Sequence, residues 1–242
     1  MLLSIIIPFR NEEDNAKTTV KTVHQYFLDE KIDFEVIAID DSIDKTYSIL
    51  LELASELGNF KVIRGVSSLG RGYGVALKLG IIEAKGDVVI PMNADLCDSL
   101  PDSIRMFQLI QAGADVVVAS RFMPDSVITG VRPLKRYISY VGNVFLSVLF
   151  GIRMTDITNS YKAYRKKVVE EVNPVNIGFS FTLELFLGAL NNGCQYEQMP
   201  TAYQERQSGE SKMVIGKTIQ EYLQVALRFF FKSIKRKITV EE

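Results

Sequence analysis

Polar side chains able to do chemistry sit where apolar runs end. Asn11 and Glu12 follow LLSIIIP, Asp40 and Asp41 close FEVIAID, Asn93 and Asp95 follow DVVIP, and Arg121 follows DVVVAS. Carboxylates that abut apolar strands are costly to bury without a partner, so these positions point to one shared site rather than to unrelated loops. A carboxylate such as Asp40 can accept hydrogen bonds from a nucleobase or ribose. Asn93, two places before Asp95, carries no charge. In DDSIDKT, residues 40 to 46, either Ser42 or Asp44 could cap the next helix. Gly70, Gly72 and Gly74 precede another helical segment. Their spacing matches neither the dinucleotide nor the P-loop fingerprint, and it permits either close approach to a ligand or a tight turn.

The elements that must position these residues alternate. Short β-branched runs at 2–8, 34–40, 61–64, 87–91 and 115–120 are separated by segments of helical spacing at 13–28, 44–57, 72–84 and 100–112. Apolar runs without alternation, interleaved with helices, predict an α/β fold with a mostly parallel sheet covered on both faces. In open sheets of this kind ligands bind beyond the carboxyl ends of the strands, where the polar residues lie. After residue 135 the pattern changes to apolar helical segments at 137–150 and 179–191 and a final helix from about 215 to 237. The first of these could be a core helix or one that dips into lipid.

The chain has 242 residues, 47% hydrophobic and 24% charged, enough for one large domain. A formal net charge of −1 argues against a general nucleic-acid binder. Cys97 and Cys194 are far apart without metal-type spacing, so they read as packing residues in a reducing compartment. The only histidine, His24, reads as structural. The N-terminus looks like a buried strand rather than a signal peptide, and no apolar stretch reaches the roughly 18 to 20 residues of a membrane-spanning helix.

Taken in order, the motifs resemble those of the inverting glycosyltransferases of GT-A fold (glycosyltransferase family 2), and more narrowly their dolichol-phosphate mannose synthase-like branch. PFRNEE stands for that family's P-x-Y-N-E opening, DDSIDKT for DDGSxDxT, GRGYGVALKLGIIEAKGD for its glycine-rich helix, MNADL for MDADL, and ASRF for GSRY. DITNSYKAYRKKVVE, GFSFTLEL and QERQSGESKM extend the likeness, which covers residues 3 to 214. The resemblance implies a catalytic domain over 1–214, followed by a basic amphipathic helix and tail over 215–242. The implied reaction is inverting sugar transfer from a GDP- or UDP-linked sugar to a polyprenyl phosphate.

Carried over residue by residue, Pro8, Arg10, Glu12 and Asp40 line the nucleotide pocket. Asp95, with Asn93, holds Mg2+ or Mn2+. Arg206 meets the diphosphate, with Ser211 and Lys212 on the same loop, and Arg121, Lys135 and Ser139 receive the acceptor phosphate. The departures are Asn93 for an aspartate, Cys97 for a glutamine, Arg10 for a tyrosine and Lys135 for an arginine. An aspartate restored at position 93 is expected to raise metal affinity.

In the final helix Leu223, Ala226, Leu227, Phe230 and Ile234 share one side, and Arg228, Lys232, Lys235 and Arg236 another. A basic amphipathic helix of this kind can lie on an anionic membrane. The implied location is the cytoplasmic membrane face, with the protein peripheral or recruited by a membrane-protein partner. Two rival readings are a transferase acting on a glycan hydroxyl, for which Glu184 or Asp156 is the candidate base, and a non-catalytic nucleotide-binding scaffold with a degenerate metal site.

Overall fold

The computed structural model describes residues 1–65, 70–206 and 215–240, except for the side chains at 215 and 233–240. In chain order the elements are β1 (Leu3–Phe9), α1 (Ala16–Asp29), β2 (Phe34–Asp40), α2 (Thr46–Glu56), β3 (Phe60–Arg64), α3 (Tyr73–Glu83), β4 (Val88–Pro91), α4 (Leu100–Gln111) and β5 (Val116–Ser120). The second half adds β6 (Val127–Thr129), α5 (Pro133–Phe150), β7 (Lys162–Arg165), α6 (Lys166–Glu170), α7 (Phe181–Asn191), β8 (Tyr196–Pro200), β9 (Ala202–Gln204) and α8 (Ile215–Val240).

The main sheet has the strand order β3-β2-β1-β4-β7-β5-β8, and β6 pairs with β9 beside it. Successive residues of β1 point to opposite faces: Ile5 and Ile7 join Val20, Phe27, Leu50 and Phe107 in one core. Ile6 joins Leu77, Leu183, Phe186 and Val225 in the other. Both faces are therefore covered, as the unbroken apolar runs require.

All the main-sheet strands are parallel except β7, which runs antiparallel to both β4 and β5. A parallel strand delivers the loop that follows it to the carboxyl edge; β7, reversed, delivers the loop that precedes it. Residues 156–160 thus reach the same edge as the residues after β1, β2, β4 and β5.

Helix α5 begins at Pro133, four residues before the apolar periodicity does, with proline in its first turn. Lys135, Ser139 and Asn143 consequently fall at i, i+4 and i+8 on one face. Of its 18 residues only Asn143 and Leu146 are buried, which rules out the core-helix reading. Tyr137, Tyr140, Val141, Val144 and Val148 are all exposed. By contrast α7 is buried from Phe181 to Ala189.

The face α8 buries is Tyr222, Val225, Ala226 and Phe229, packed among the residues of the second core. Ala226 therefore faces inward, whereas Ile219, Leu223, Leu227 and Phe231 form an exposed apolar stripe at four-residue spacing. Arg228 is ion-paired to Glu184 at 2.6 Å rather than free on a basic face. Among the described residues no helix is long and apolar enough to cross a membrane. His24 is buried, with Nε2 2.6 Å from the Gly58 carbonyl oxygen, the structural role expected of it.

Candidate active site

A cavity of about 650 Å³ lies along the carboxyl edge. Pro8, Arg10, Glu12, Asn93, Asp95, Arg121, Lys135, Ser139 and Arg206 all line it. Asp40 does not: it is fully buried one residue deeper, and Asp41 takes its place in the wall. Ser211 and Lys212 lie outside the described residues.

The loops after β1 and β2 are laced together. Asn11, at φ 53°, donates its backbone N–H to Ser42 Oγ at 2.8 Å, and its Oδ1 accepts the Ile43 N–H at 3.0 Å. Glu12 N–H donates to Thr46 Oγ1 at 2.9 Å. Of the two candidate caps it is Asp44 that serves α2, accepting from the N–H and hydroxyl of Thr46. Burial opposes ionisation of Asp44, but the Thr46 hydrogen bonds outweigh it and the pKa lies below the ordinary value.

Asp40 Oδ2 is paired with Arg64 at 2.5 Å, while its Oδ1 is buried without a hydrogen-bond partner. Asp41 has Arg71 Nε at 3.2 Å and Arg10 at 3.8 Å, yet neither of its oxygens makes a hydrogen bond. Buried acceptors left open beside a cavity are suited to donors of a ligand.

Of the glycines at the start of α3, Gly70 (φ 96°) stands in open space, whereas Gly72 and Gly74 have a packing role. Gly72 has φ 148°, and a Cβ on Gly74 would lie 2.7 Å from Phe181 Cβ and 2.9 Å from the Asn176 carbonyl oxygen. Close approach by another segment of this chain sets the glycine requirement there.

At the floor, Asp95 Oδ2 is 2.7 Å from Arg206 Nη2, and Oδ1 accepts the Cys97 N–H at 3.2 Å. Arg206 Nη1 also lies 3.8 Å from Glu12. Asn93 donates its backbone N–H and its Nδ2 to Asp98 Oδ2, each at 3.0 Å. Burial, reinforced by the charge of Asp95, raises the Asp98 carboxyl to about 7.

Among the described residues no three His, Cys, Asp or Glu side chains are grouped to hold a metal ion. Asp95 and the Asn93 carbonyl oxygen fit a cation whose remaining ligands are phosphate oxygens and water, the manner in which Mg2+ is usually held. They do not make an all-protein cage.

Arg121, Lys135 and Ser139 share the cavity wall, and two of them touch. Arg121 donates Nε and Nη2 to the two oxygens of Asp156 at 2.7 and 2.9 Å, and its Nη2 reaches Ser139 Oγ at 3.4 Å. The bidentate pair keeps Arg121 charged although burial opposes it, and its pKa is raised. Asn143 Nδ2 donates to Asp156 Oδ1 at 3.1 Å and to Thr158 Oγ1 at 3.0 Å. Lys135 Nζ pairs with Glu205 at 2.7 Å.

Neither candidate base for a hydroxyl acceptor is available. Asp156 is fully buried and committed to Arg121. Glu184 accepts from the Val175 and Asn176 N–H groups and from Arg228, and it does not line the cavity. Asp98, Glu205 and Arg71 are not singled out by the sequence; Glu205 and Arg71 have a signal there, their places in QERQSGESKM and GRGYGVALKLGIIEAKGD.

The comparisons with known proteins agree with this geometry. Residues 4–172 match glycosyl transferase family 2. The chain is 29% identical over 224 residues to the polyprenol monophosphomannose synthase of Mycolicibacterium smegmatis, which covers 90% of this chain and 82% of that protein. It is 31% identical over 229 residues to the dolichol-phosphate mannosyltransferase of Pyrococcus furiosus, covering 92% of this chain and 62% of that one, so it spans less than two thirds of that relative.

Its fold is similar to that of glucosyl-3-phosphoglycerate synthase from Mycobacterium tuberculosis, crystallised with Mn2+, UDP and phosphoglyceric acid (TM-score 0.71, 16% identity, 95% of this chain and 78% of that one). A second mycobacterial protein superimposes with a TM-score of 0.74 at 16% identity, covering 94% and 74%. At such identities it is the GT-A architecture that is shared. With the match spanning seven-tenths of its length, the chain belongs to glycosyl transferase family 2.

Proposed function

We propose that the protein transfers a sugar, with inversion, from a nucleoside diphosphate sugar to a polyprenyl phosphate. The observation that carries this reading is the lining of the cavity. Asp95 with Arg206, and Arg121, Lys135 and Ser139, share its wall with the apolar residues Ile138, Phe145, Ile219 and Leu223 of α5 and α8. A phosphate bearing a long apolar chain has the chemistry to match that lining.

The leaving diphosphate gathers negative charge, and Arg206 is placed to neutralise it. Mg2+ or Mn2+ held by Asp95 and the Asn93 carbonyl oxygen would add to that neutralisation. The acceptor needs no base: a phosphate monoester, with its second pKa near 6, is largely a dianion at neutral pH. Arg121, Lys135 and Ser139 hold it for attack on the anomeric carbon opposite the leaving group, the geometry that inverts. Asp156 and Asn143 keep Arg121 aimed.

Residues 1–214 form the transferase domain in this reading, and 215–242 the amphipathic helix and tail. The exposed apolar residues of α5 and the Ile219, Leu223, Leu227 and Phe231 stripe of α8 would seat the molecule peripherally on a membrane. Lys232, Lys235 and Arg236 add positive charge near anionic headgroups. The names of the two relatives bring mannose forward as the sugar.

Labelled GDP- and UDP-sugars, offered with polyprenyl phosphate and either cation, should give an organic-extractable product that disappears with chelator. Nucleotide binding without product from any donor would overturn the reading.

A further inference from the structure

Asp98 does not line the cavity, yet it grips a residue that does. Its Oδ2 accepts both the backbone N–H and the Nδ2 of Asn93, each at 3.0 Å. A backbone N–H can only donate, so Oδ2 is fixed as an acceptor, and the edge of the Asn93 amide that faces it must be the NH2 edge. The carboxamide is planar with its oxygen on the other edge. Asp98 is 6% exposed, whereas Asn93 belongs to the cavity wall. The grip from behind therefore turns the amide oxygen away from Asp98. The outcome matters because oxygen is the ligand type of Mg2+ and Mn2+, while an amide NH2 only donates hydrogen bonds.

We propose that Asp98 is a positioning residue for the divalent cation: it holds Asn93 so that the amide oxygen, beside Asp95, serves where a carboxylate would otherwise stand. This rests on reading the cavity as the site of metal-assisted sugar transfer. Asn93 and Asp98 then form one unit, an amide held by a single acceptor oxygen.

The unit reverses the expectation that an aspartate at 93 helps. Asn93→Asp puts two carboxylate oxygens about 3 Å apart where a hydrogen bond had been, and like charges that close repel. The side chain turns aside and loses the hold that aimed its oxygen beside Asp95. Asp98→Asn is nearly isosteric and can set its amide oxygen where Oδ2 stands, accepting both hydrogen bonds, so it keeps the grip. Asp98→Leu is of similar size without an acceptor, so it releases the Asn93 amide.

The test is Mn2+ binding, followed by the electron paramagnetic resonance signal of free Mn2+, with UDP or GDP present. Thermal unfolding without metal reports the fold of each variant. We expect Asp98→Leu to weaken Mn2+ binding about tenfold or more, the usual scale for a residue supporting a metal ligand, and Asp98→Asn to stay within about threefold of wild type. Asn93→Asp should bind no better than wild type.

Wild-type Mn2+ affinity in Asp98→Leu, or tighter binding in Asn93→Asp, would overturn the proposal while leaving the sugar-transfer reading intact. Failure of the wild type itself to bind Mn2+ with either nucleotide would remove both this proposal and the metal from that reading.

Discussion

Asp95 is the carboxylate of the cavity wall that holds Arg206 most closely, at 2.7 Å, and it stands two residues from Asn93. Asp95→Ala should therefore lower transfer by at least about a hundredfold, the range seen when one preorganised charge-stabilising group is removed, with turnover read as extractable product. Wild-type-like turnover in that variant would take the metal out of the mechanism.

A second residue speaks through stability. Lys162 is fully buried on β7, donates to the Asn159 carbonyl, and has Nζ 5.5 Å from the Phe186 ring. Burial lowers its pKa from 10.5 to about 7, with the nearby Asp156 only partly opposing. Between those values the unfolded chain binds a proton that the folded one refuses, so stability should fall as pH drops from 10.5 to 7 and level off below. Urea midpoints across that range should show the slope in wild type and its reduction in Lys162→Met.

Most of the cavity wall was legible in the sequence because it sits at strand ends, where a carboxylate or arginine beside an apolar run is conspicuous. Asp98, Glu205 and Asn143 were not legible as partners. Their roles depend on which side chain faces them across the fold, and Asp98 reads as an ordinary helix-approach residue. The Asp40 and Asp41 pair was legible only to within one residue, since strand burial decides which of two adjacent carboxylates reaches the wall.

Among the elements, α5 has two duties on one helix. Lys135, Ser139 and Asn143 face the site, while Val141 and Val148, the latter 78% exposed, face away. If the outer face meets lipid, Val141→Asp with Val148→Asp and Leu227→Asp should reduce flotation with anionic vesicles by about tenfold or more, given about 1.5 kcal/mol or more per buried aliphatic side chain. Transfer to a short, water-soluble polyprenyl phosphate should persist. Equal vesicle binding by wild type and variant would remove the membrane contact.

The α3 entrance makes a different demand. Gly74→Ala would push a methyl group against Phe181 and the Asn176 carbonyl, and about 1 to 3 kcal/mol of stability should be lost in chemical denaturation. The start of α5 escaped the periodicity because Pro133, Lys135 and Arg136 are not an apolar stripe; a proline in the first turn was the available signal.

At the scale of the molecule, the α/β architecture followed from unbroken β-branched runs, since only a strand covered on both faces tolerates them. Two main-sheet strands, KAYR and YEQMP, and the three-residue β6 and β9 escaped the pattern; the former two mix polar with apolar residues and the latter are too short to show one. Their pairing is set by neighbours far away in sequence.

The reversed strand β7 also orders assembly in time. Strand β5 pairs only with β7 and β8 among the described residues, and both come later in the chain. On the ribosome, β1 to β4 can therefore close their part of the sheet while β5 waits, a finished strand with two open edges. Arg121, at its end, gains its Asp156 partner only as the loop before β7 emerges. A nascent chain stalled short of residue 156 would hold the paired strands β1 to β4, an unpaired apolar strand and an Arg121 still without its carboxylate partner, which makes that interval the one in which a chaperone has most to cover.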